Sequence, residues 1–193
     1  MNLAIYKPNR NNSGFAFNFQ VGIGKGGEPV LYVTAIAQHS WDSKKRIGSF
    51  SENRKDPEKN ASIKFNEFEC GEILSCLKNR YVYETFHAFD DNKTIIRFTP
   101  WDKETKITHL EKEKGTSEII QKTPAFGLVI TRNGNQTFRL PLSPGECECL
   151  ISLLGFLLNK IYLFREQKSA QFSGDHKTNT ASQSIATSDE PPF

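Results

Sequence analysis

A stretch that occurs twice places the strongest constraint on the fold of this chain. Residues 62–77 and 139–154 align without gaps, so that Glu69 falls on Glu146. Each copy begins with alternating apolar and polar residues, crosses a polar turn and continues with helical spacing, which predicts a strand that runs into a helix. A repeat of this kind in a chain of 193 residues indicates a duplicated supersecondary unit.

Strand patterns precede each copy of this unit. Alternating or β-branched runs in the first half predict strands at 3–6, 15–21, 30–37 and 62–66. Comparable runs in the second half predict strands at 81–89, 94–101, 126–131 and 136–142. The charged segment 102–123 shows no pattern that assigns it a structure.

A helix is predicted to close each half of the chain. The first covers 69–79, and the second runs from Ser143 to about Phe164. Ser143 suits the N-cap of the second helix because Glu146 stands three residues later, where it can complete a capping box.

The predicted fold class is α+β. Two ββββα repeats, at about 1–80 and 81–164, form antiparallel sheets covered by helices and together make one domain. Residues 165–193 are rich in Ser, Thr, Gln and Ala, and this composition predicts a disordered tail.

The composition argues against several classes of protein. The net charge of +3 is too small to indicate nucleic-acid binding by itself. The four cysteines lie on the predicted helices without disulfide or metal spacing, and the chain shows neither a secretory signal nor an apolar run long enough to cross a bilayer. No nucleophile and base are brought together by the sequence pattern, so we expect a cytoplasmic protein that is not an enzyme and has no metal, cofactor or membrane partner.

Three local stretches carry a family resemblance. Residues 40–45 (Ser-Trp-Asp-Ser-Lys-Lys) resemble the Trp-containing segment before the fourth strand of Whirly proteins, and residues 84–90 (Glu-Thr-Phe-His-Ala-Phe-Asp) resemble the aromatic stretch after their first helix. Residues 138–143 (Phe-Arg-Leu-Pro-Leu-Ser) resemble the last Whirly strand. With the duplicated element order, the chain over about 1–164 resembles the Whirly fold of single-stranded DNA-binding proteins, and each repeat resembles the coactivator positive cofactor four. The Whirly motif Lys-Gly-Lys-Ala-Ala-Leu, which is tied to higher assembly, has no counterpart.

The end of the tail carries a second resemblance. Its last residues look like the acidic tip of bacterial single-stranded DNA-binding proteins, and they are Asp189, Glu190, Pro191, Pro192 and Phe193. In that family the tip docks replication and repair enzymes, with a Phe in an apolar pocket and acidic groups facing basic ones. The tip implies a bacterial, phage or mobile-element setting.

Candidate binding residues follow from the chemistry of unpaired strands. Aromatic faces stack on bases, and basic groups follow the phosphates. The candidate rings are Phe15, Phe17, Phe19, Tyr32, Trp41, Tyr83, Phe98 and Trp101. The candidate phosphate contacts are Lys7, Arg10, Lys44, Lys45, Arg46, Lys64, Arg97, Arg132 and Arg139.

The orientation of these residues is only partly determined by the pattern. Lys64, Arg97 and Arg139 stand between apolar residues inside strands, so we expect them on the open face of a sheet. A strand Phe is more often a core residue than a stacking platform, and alternation does not say which face of strand 15–21 is buried.

We therefore interpret the chain as a single-stranded DNA-binding protein that coats DNA and recruits replication, recombination or repair proteins through its tip. We also expect a homodimer formed through the helices. Two alternatives stay open, namely an RNA-binding or transcription-associated protein of the same fold, and an adaptor whose sheet binds protein.

Overall fold

The two halves of the chain contain the predicted series of strands and helices. The computed structural model describes residues 1–89, 92–111 and 115–181. The first half consists of β1 (Asn2–Lys7), β2 (Phe15–Ile23), β3 (Pro29–Ala37), β4 (Ser40–Asp42), β5 (Ile47–Ser49), a 3-10 helix (Glu52–Arg54), β6 (Asn60–Phe65) and α1 (Glu67–Asn79). The second half consists of β7 (Tyr83–Phe89), β8 (Asn92–Glu111), β9 (Gly115–Arg132), β10 (Gln136–Leu142) and α2 (Pro144–Ala181).

Each half forms one four-stranded antiparallel sheet. The first sheet has the order β1-β2-β3-β6 and the second the order β10-β9-β8-β7. The strands β4 and β5 form a separate two-stranded hairpin inside the polar segment between β3 and β6. The predicted α+β class, with two repeats of four principal strands and a helix, is confirmed.

The charged segment without a predicted structure is an extension of the second sheet. β8 and β9 pair continuously from Thr94 with Arg132 to Glu111 with Gly115. The two strands therefore run past the ends of their neighbours as a two-stranded hairpin.

Both sheets and both helices share one hydrophobic core. Phe17 and Phe19 on β2, Phe98 on β8 and Phe138 on β10 are each almost fully buried, together with Leu154 on α2. Burying a side chain of this size stabilises a fold by roughly 1.5–3 kcal/mol. Each sheet turns one face towards this core and leaves the other face outside it.

The aligned glutamates of the repeat have the same local role. Asn66 caps α1: its side-chain Oδ1 accepts a hydrogen bond from the Glu69 backbone N–H at 2.9 Å, and Glu69 Oε2 accepts one from the Asn66 N–H at 2.9 Å. At the start of α2, Glu146 Oε2 accepts hydrogen bonds from the Ser143 backbone N–H at 2.8 Å and from its hydroxyl at 2.9 Å. The cap of α1 is reciprocal, whereas at α2 both hydrogen bonds run from Ser143 to the glutamate. In each case the carboxylate satisfies a backbone N–H at the helix start.

The same two glutamates also connect the repeats to strands β1 and β7. Glu146, at the start of the second repeat's helix, pairs with Lys7 on the first strand of the first repeat at 2.5 Å. Glu69, at the start of the first repeat's helix, lies 2.5 Å from His87 Nε2 on the first strand of the second repeat. Each helix start is thereby fixed to the first strand of the other repeat.

The second helix extends past the point where the sequence analysis placed its end. The prediction ended it near Phe164 and began disorder at Arg165, but α2 continues to Ala181. Arg165 explains part of this correction, because its guanidinium donates to Glu28 Oε1 at 2.6 Å and to Glu67 Oε1 at 3.0 Å. Residues 182–193, which include the acidic tip, lie outside the described residues.

By length and composition, α2 also meets the criterion for a membrane span. Pro144–Gln171 has a mean hydropathy of 1.6 in its most apolar window, of which 33% is buried inside the fold. The buried residues Leu150, Leu153, Leu154 and Leu157 follow helical spacing and face the shared core. One face of this helix therefore packs in the core, while most of that window lies outside it.

The pairing of Glu146 with Lys7 predicts a pH-dependent contribution to stability. Partial burial disfavours the charged form of Glu146, but hydrogen bonds from Lys7 and Ser143 outweigh it, so the pKa of this carboxyl lies below its ordinary value of 4.5. The resulting stabilisation is fully present above about pH 4.5 and is lost as the pH falls through the lowered folded-state pKa. We expect Glu146→Gln to lower the free energy of unfolding by about 1 kcal/mol at about pH 7. The difference in free energy between the variant and wild type should disappear at acidic pH.

Urea denaturation at several pH values measures this difference. Glu148→Gln is the matched control, since it removes the same charge from the exposed side of the same helix start. An equal loss in the control, or a Glu146→Gln difference that does not change with pH, would contradict the assignment.

Candidate nucleic-acid interface

The outer faces of the two sheets carry the basic residues that the sequence placed there. Lys64 on β6, Arg97 on β8 and Arg139 on β10 are all exposed, while their neighbours along the strands are buried. Val129 on β9 is the partner of both Arg97 and Arg139, so the two arginines flank it on one face. Arg97 also forms an ion pair with Glu84 of β7, which reduces its availability to a ligand.

For three of the rings, the prediction that they stack on bases is wrong. Phe17, Phe19 and Phe98 are each only 1% exposed and belong to the shared core. Phe15 and Tyr83 lie on the same inner faces, partly buried against that core, and the Phe15 ring centroid is 5.9 Å from that of Phe138. The alternating pattern of these strands was therefore the pattern of a buried face.

The other predicted rings lie outside the core. Tyr32 on β3 is half-buried beside Lys64 of β6, and its ring covers Gly22, where a Cβ would stand 3.0 Å from the ring carbons. Trp41 on β4 is half-buried, and Trp101 on β8 is 41% exposed.

The structure adds a ring pair that the sequence analysis did not select. Tyr6 on β1 is 59% exposed, and its ring centroid lies 5.9 Å from that of Phe50, which follows β5. Both rings line a groove of about 310 Å³ on the outer face of the first sheet, together with Asn2, Asn18 and Arg54. Alternation along β1 could have identified Tyr6, because it follows the buried Ile5.

A basic hairpin leads into the segment that supplies Phe50 to this groove. Lys44, Lys45 and Arg46 are exposed at the turn between β4 and β5. The Asp42 carboxylate accepts hydrogen bonds from the backbone N–H groups of Lys44 at 2.9 Å and Lys45 at 3.0 Å, which fixes the turn. Phe50 follows β5 directly, so the same segment supplies the basic turn and one ring of the groove.

A buried glutamine anchors the base of that hairpin. The Gln38 side chain is shielded from solvent and accepts from the Asn9 backbone N–H at 2.8 Å, while its amide donates to the carbonyl oxygens of Asn9 at 2.9 Å and Ser40 at 3.0 Å. Gly48 on β5 leaves room for this contact, since a Cβ there would stand 2.5 Å from Pro8 Cβ and 3.1 Å from Gln38 Nε2. The position of the basic turn thus depends on residues far from it in sequence.

A second groove lies between the edges of the two sheets. Its volume is about 580 Å³, and it is lined by Lys64 and Ser62 of β6, by Phe86 of β7 and by Arg132 of β9. Phe86 is 56% exposed and was not among the predicted rings. Arg132 is already engaged, because its guanidinium donates to Gln136 Oε1 at 2.7 Å and to the Pro57 carbonyl oxygen.

The predicted cations therefore fall into two groups. Lys7, Arg97 and Arg132 are held by partners within the fold. The second group forms no ion pair within residues 1–89, 92–111 and 115–181, and it consists of Arg10, Lys44, Lys45, Arg46, Lys64 and Arg139. Arg54, in the first groove, belongs to this second group as well.

The buried thiols do not form a reactive centre. Burial raises the pKa of Cys70 to about 12 and the pKa values of Cys76 and Cys147 to about 11, so these thiols stay protonated at neutral pH. Within the described part of the chain, no group of three or more His, Cys, Asp or Glu side chains could hold a metal ion.

Comparison with known proteins gives similarity at the level of the fold. No protein-family model and no curated protein sequence matches the chain. Among solved structures, WHY3 from Arabidopsis thaliana matches with a TM-score of 0.51 and 14% identity, covering 91% of this chain and 96% of the other. WHY1 from Arabidopsis thaliana matches with a TM-score of 0.51 and 13% identity, covering 98% and 97% of the two chains.

A third solved structure agrees with these two. The plant transcriptional regulator PBF-2 has a TM-score of 0.50 and 13% identity, with 88% of this chain and 86% of the other covered. The resemblance to the Whirly fold is therefore confirmed over most of the chain: the fold of this protein is Whirly-like.

Proposed function

We propose that this chain binds single-stranded DNA on the outer faces of its two sheets. The observation that carries the proposal is the pairing of exposed rings with unengaged cations on those faces. Tyr6 and Phe50 share a groove with Arg54, and Phe86 shares the intersheet groove with Lys64. The Whirly-like fold, consistent with single-stranded nucleic-acid binding, supports the same proposal.

The chemistry of these grooves suits unpaired strands better than duplexes. A base must leave its stack to reach a ring in a groove, and such a contact contributes roughly 1–3 kcal/mol per base. Neither groove presents a projecting helix of the kind that enters a major groove, because α1 and α2 pack on the inner faces of the sheets. Cations along the path contact phosphates and make binding sensitive to salt.

The same residues suggest a path for the strand. The basic turn at Lys44, Lys45 and Arg46 would hold the backbone beside the first groove. Bases would enter over Tyr6 and Phe50, and the strand would continue past Tyr32 and Lys64 to Phe86 between the sheets. Arg139 and Trp101 lie farther along the outer face of the second sheet.

An alternative with the same fold is a transcription-associated or RNA-binding protein. The similarity to PBF-2, described as a plant transcriptional regulator, is the observation that favours it. Competition of single-stranded DNA with RNA and with duplex DNA separates the two functions, and equal affinity for duplex would count against the main proposal. A protein-binding adaptor would show no salt-sensitive binding to an oligonucleotide.

The tail gives the proposed protein a second role. Asp189, Glu190, Pro191, Pro192 and Phe193 lie outside the described residues, and their similarity to the bacterial docking tip supports recruitment of replication, recombination or repair proteins. A cytoplasmic, bacterial or phage-related setting and a homodimer through the helices belong to the same proposal. Exposed Phe156, Tyr162 and Leu163 on α2 are compatible with such a dimer.

Removal of single rings tests the binding surface. We expect Tyr6→Ala and Phe86→Ala each to weaken binding of labelled oligo-dT by roughly fivefold or more, since each variant loses one stacking contact. Phe68→Ala is the matched control, because Phe68 is 78% exposed but lies on α1. Fluorescence anisotropy measures the affinities, and an equal loss in Phe68→Ala would contradict the proposed surface.

Charge removal adds an independent measurement in the same assay. Replacing Lys44, Lys45 and Arg46 together by Ala should weaken binding and reduce its dependence on salt concentration. Lys78→Ala on α1 should change neither quantity, since that lysine is exposed on the helical side.

Deletion of Phe193 tests the tail separately. We expect the affinity for oligo-dT to stay unchanged while capture of DNA-processing proteins by the DNA-bound chain is lost, because the terminal ring and carboxylate carry the docking contact. Comparison of the full chain with the shortened chain in both assays distinguishes the two roles. Reduced DNA binding by the shortened chain would contradict the role assigned to the tail.

A further inference from the structure

The hairpin of β8 and β9 continues beyond the second sheet as a two-stranded arm, defined here as residues 102–111 and 115–124. The pairing of β7 with β8 reaches Phe98, and the pairing of β10 with β9 reaches Phe126. From Asp102 with Pro124 onward, β8 and β9 pair only with each other within the described chain. Both long edges of the arm therefore present backbone groups without a strand beside them.

The arm is not covered by the core. Ile119 and Ile120 on β9 are 52% and 56% exposed. A two-stranded hairpin is marginally stable alone, and an exposed edge with apolar side chains is a template for another strand. Its own ion pairs, Lys106 with Glu118 at 3.5 Å and Lys122 with Glu104 at 3.2 Å, are solvent-exposed and contribute little.

The balanced charge pattern of the arm does not favour a phosphate backbone as its partner. Residues 102–107 and 118–124 contain three cations and three carboxylates, which are Lys103, Lys106, Lys122, Asp102, Glu104 and Glu118. Such an alternation attracts a surface that also carries both signs, and the carboxylates repel phosphates. A second copy of this chain carries the complementary alternation.

The sequence of β9 is self-complementary about one residue. When two copies of β9 pair antiparallel around a twofold axis at Ile120, the two Ile120 side chains face each other. Glu118 of each copy then stands opposite Lys122 of the other, and Ile119 stands opposite Gln121. Pro124 lacks a backbone N–H and ends this pairing at the base of the arm.

The other edge fits a second copy less well. An equivalent pairing of β8 about Thr105 places Glu104 opposite Lys106. It leaves Lys103 opposite Ile107 and Asp102 opposite Thr108, so two charges have no opposite charge across the axis.

We propose that the arm is a self-association surface, through which the β9 edge of one copy pairs antiparallel with the β9 edge of a second copy about Ile120.

A cysteine at the axis tests this register. Opposed Cβ atoms of an antiparallel pair lie roughly 4.5–5.5 Å apart, close to disulfide distance. We expect Ile120→Cys to form a disulfide-linked dimer under mild oxidation, observed by intact mass spectrometry. The exposed Cys149 is replaced by Ser in all variants, since the other three native cysteines are buried. Thr105→Cys, on the opposite edge, is the matched control, and equal cross-linking of the two variants would overturn the proposal.

Charge exchange tests the same contact without a covalent bond. In Glu118→Lys, the new lysine of each copy faces Lys122 of the other. In Lys122→Glu, the new glutamate of each copy faces Glu118 of the other. Because like charges then meet across the axis, each variant should self-associate about tenfold more weakly than wild type. A mixture of the two variants restores opposite charges across the axis and should associate as wild type does. Sedimentation velocity measures all three samples, and circular dichroism verifies their folding.

The sedimentation results also separate the arm from the helices. Because a helix-mediated dimer belongs to the proposed function, the arm contact is measured as association beyond that dimer or, if the helices do not associate, as the dimer itself. Association that is unchanged in both charge variants would overturn the role of the arm. A wild-type chain that stays monomeric at the concentrations used for the cysteine variants would overturn it as well.

Discussion

Both repeats bury their apolar faces in one shared core, and the rest of the structure depends on that arrangement. Phe17 and Phe19 of the first sheet lie in the same cluster as Phe98 and Phe138 of the second. The start of each helix is fixed to the first strand of the other repeat through Glu146 with Lys7 and Glu69 with His87. Neither repeat therefore has a complete core or a fully anchored helix by itself, which is the expectation for a duplicated unit.

The shared core also determines which surfaces remain for a ligand. Because α1 and α2 pack against the inner faces, the outer faces of both sheets keep their alternate residues in solvent. Tyr6, Tyr32 and Lys64 lie on these faces, and the segment that follows the β4–β5 hairpin brings Phe50 beside Tyr6. With both helices packed against the inner faces, the outer faces present rings and cations, and unpaired nucleic acid is the ligand that we propose for them.

The sequence predicted the architecture better than the site. Element order, the capping role of Glu146 and the outward orientation of Lys64, Arg97 and Arg139 follow from local spacing. Stacking platforms and core residues are both aromatic, so local alternation did not separate Phe17 from Tyr6. The hairpin that precedes Phe50 is anchored by contacts of Gln38 with Asn9, which is distant in sequence. Part of the extension of α2 likewise involves distant residues, because Arg165 contacts Glu28 and Glu67. The hairpin over 102–123 gave no pattern because its described side chains are mostly exposed on both faces.

Photochemical cross-linking of a halogenated oligo-dT to the full chain, mapped by mass spectrometry, tests the central claim most directly. It reports which aromatic rings contact bases without changing the protein. We expect cross-links at Tyr6, Phe50 and Phe86, on the outer faces of the sheets. Cross-links at Phe68 or Tyr162, which are exposed on the two helices, with none on the outer faces, would contradict it.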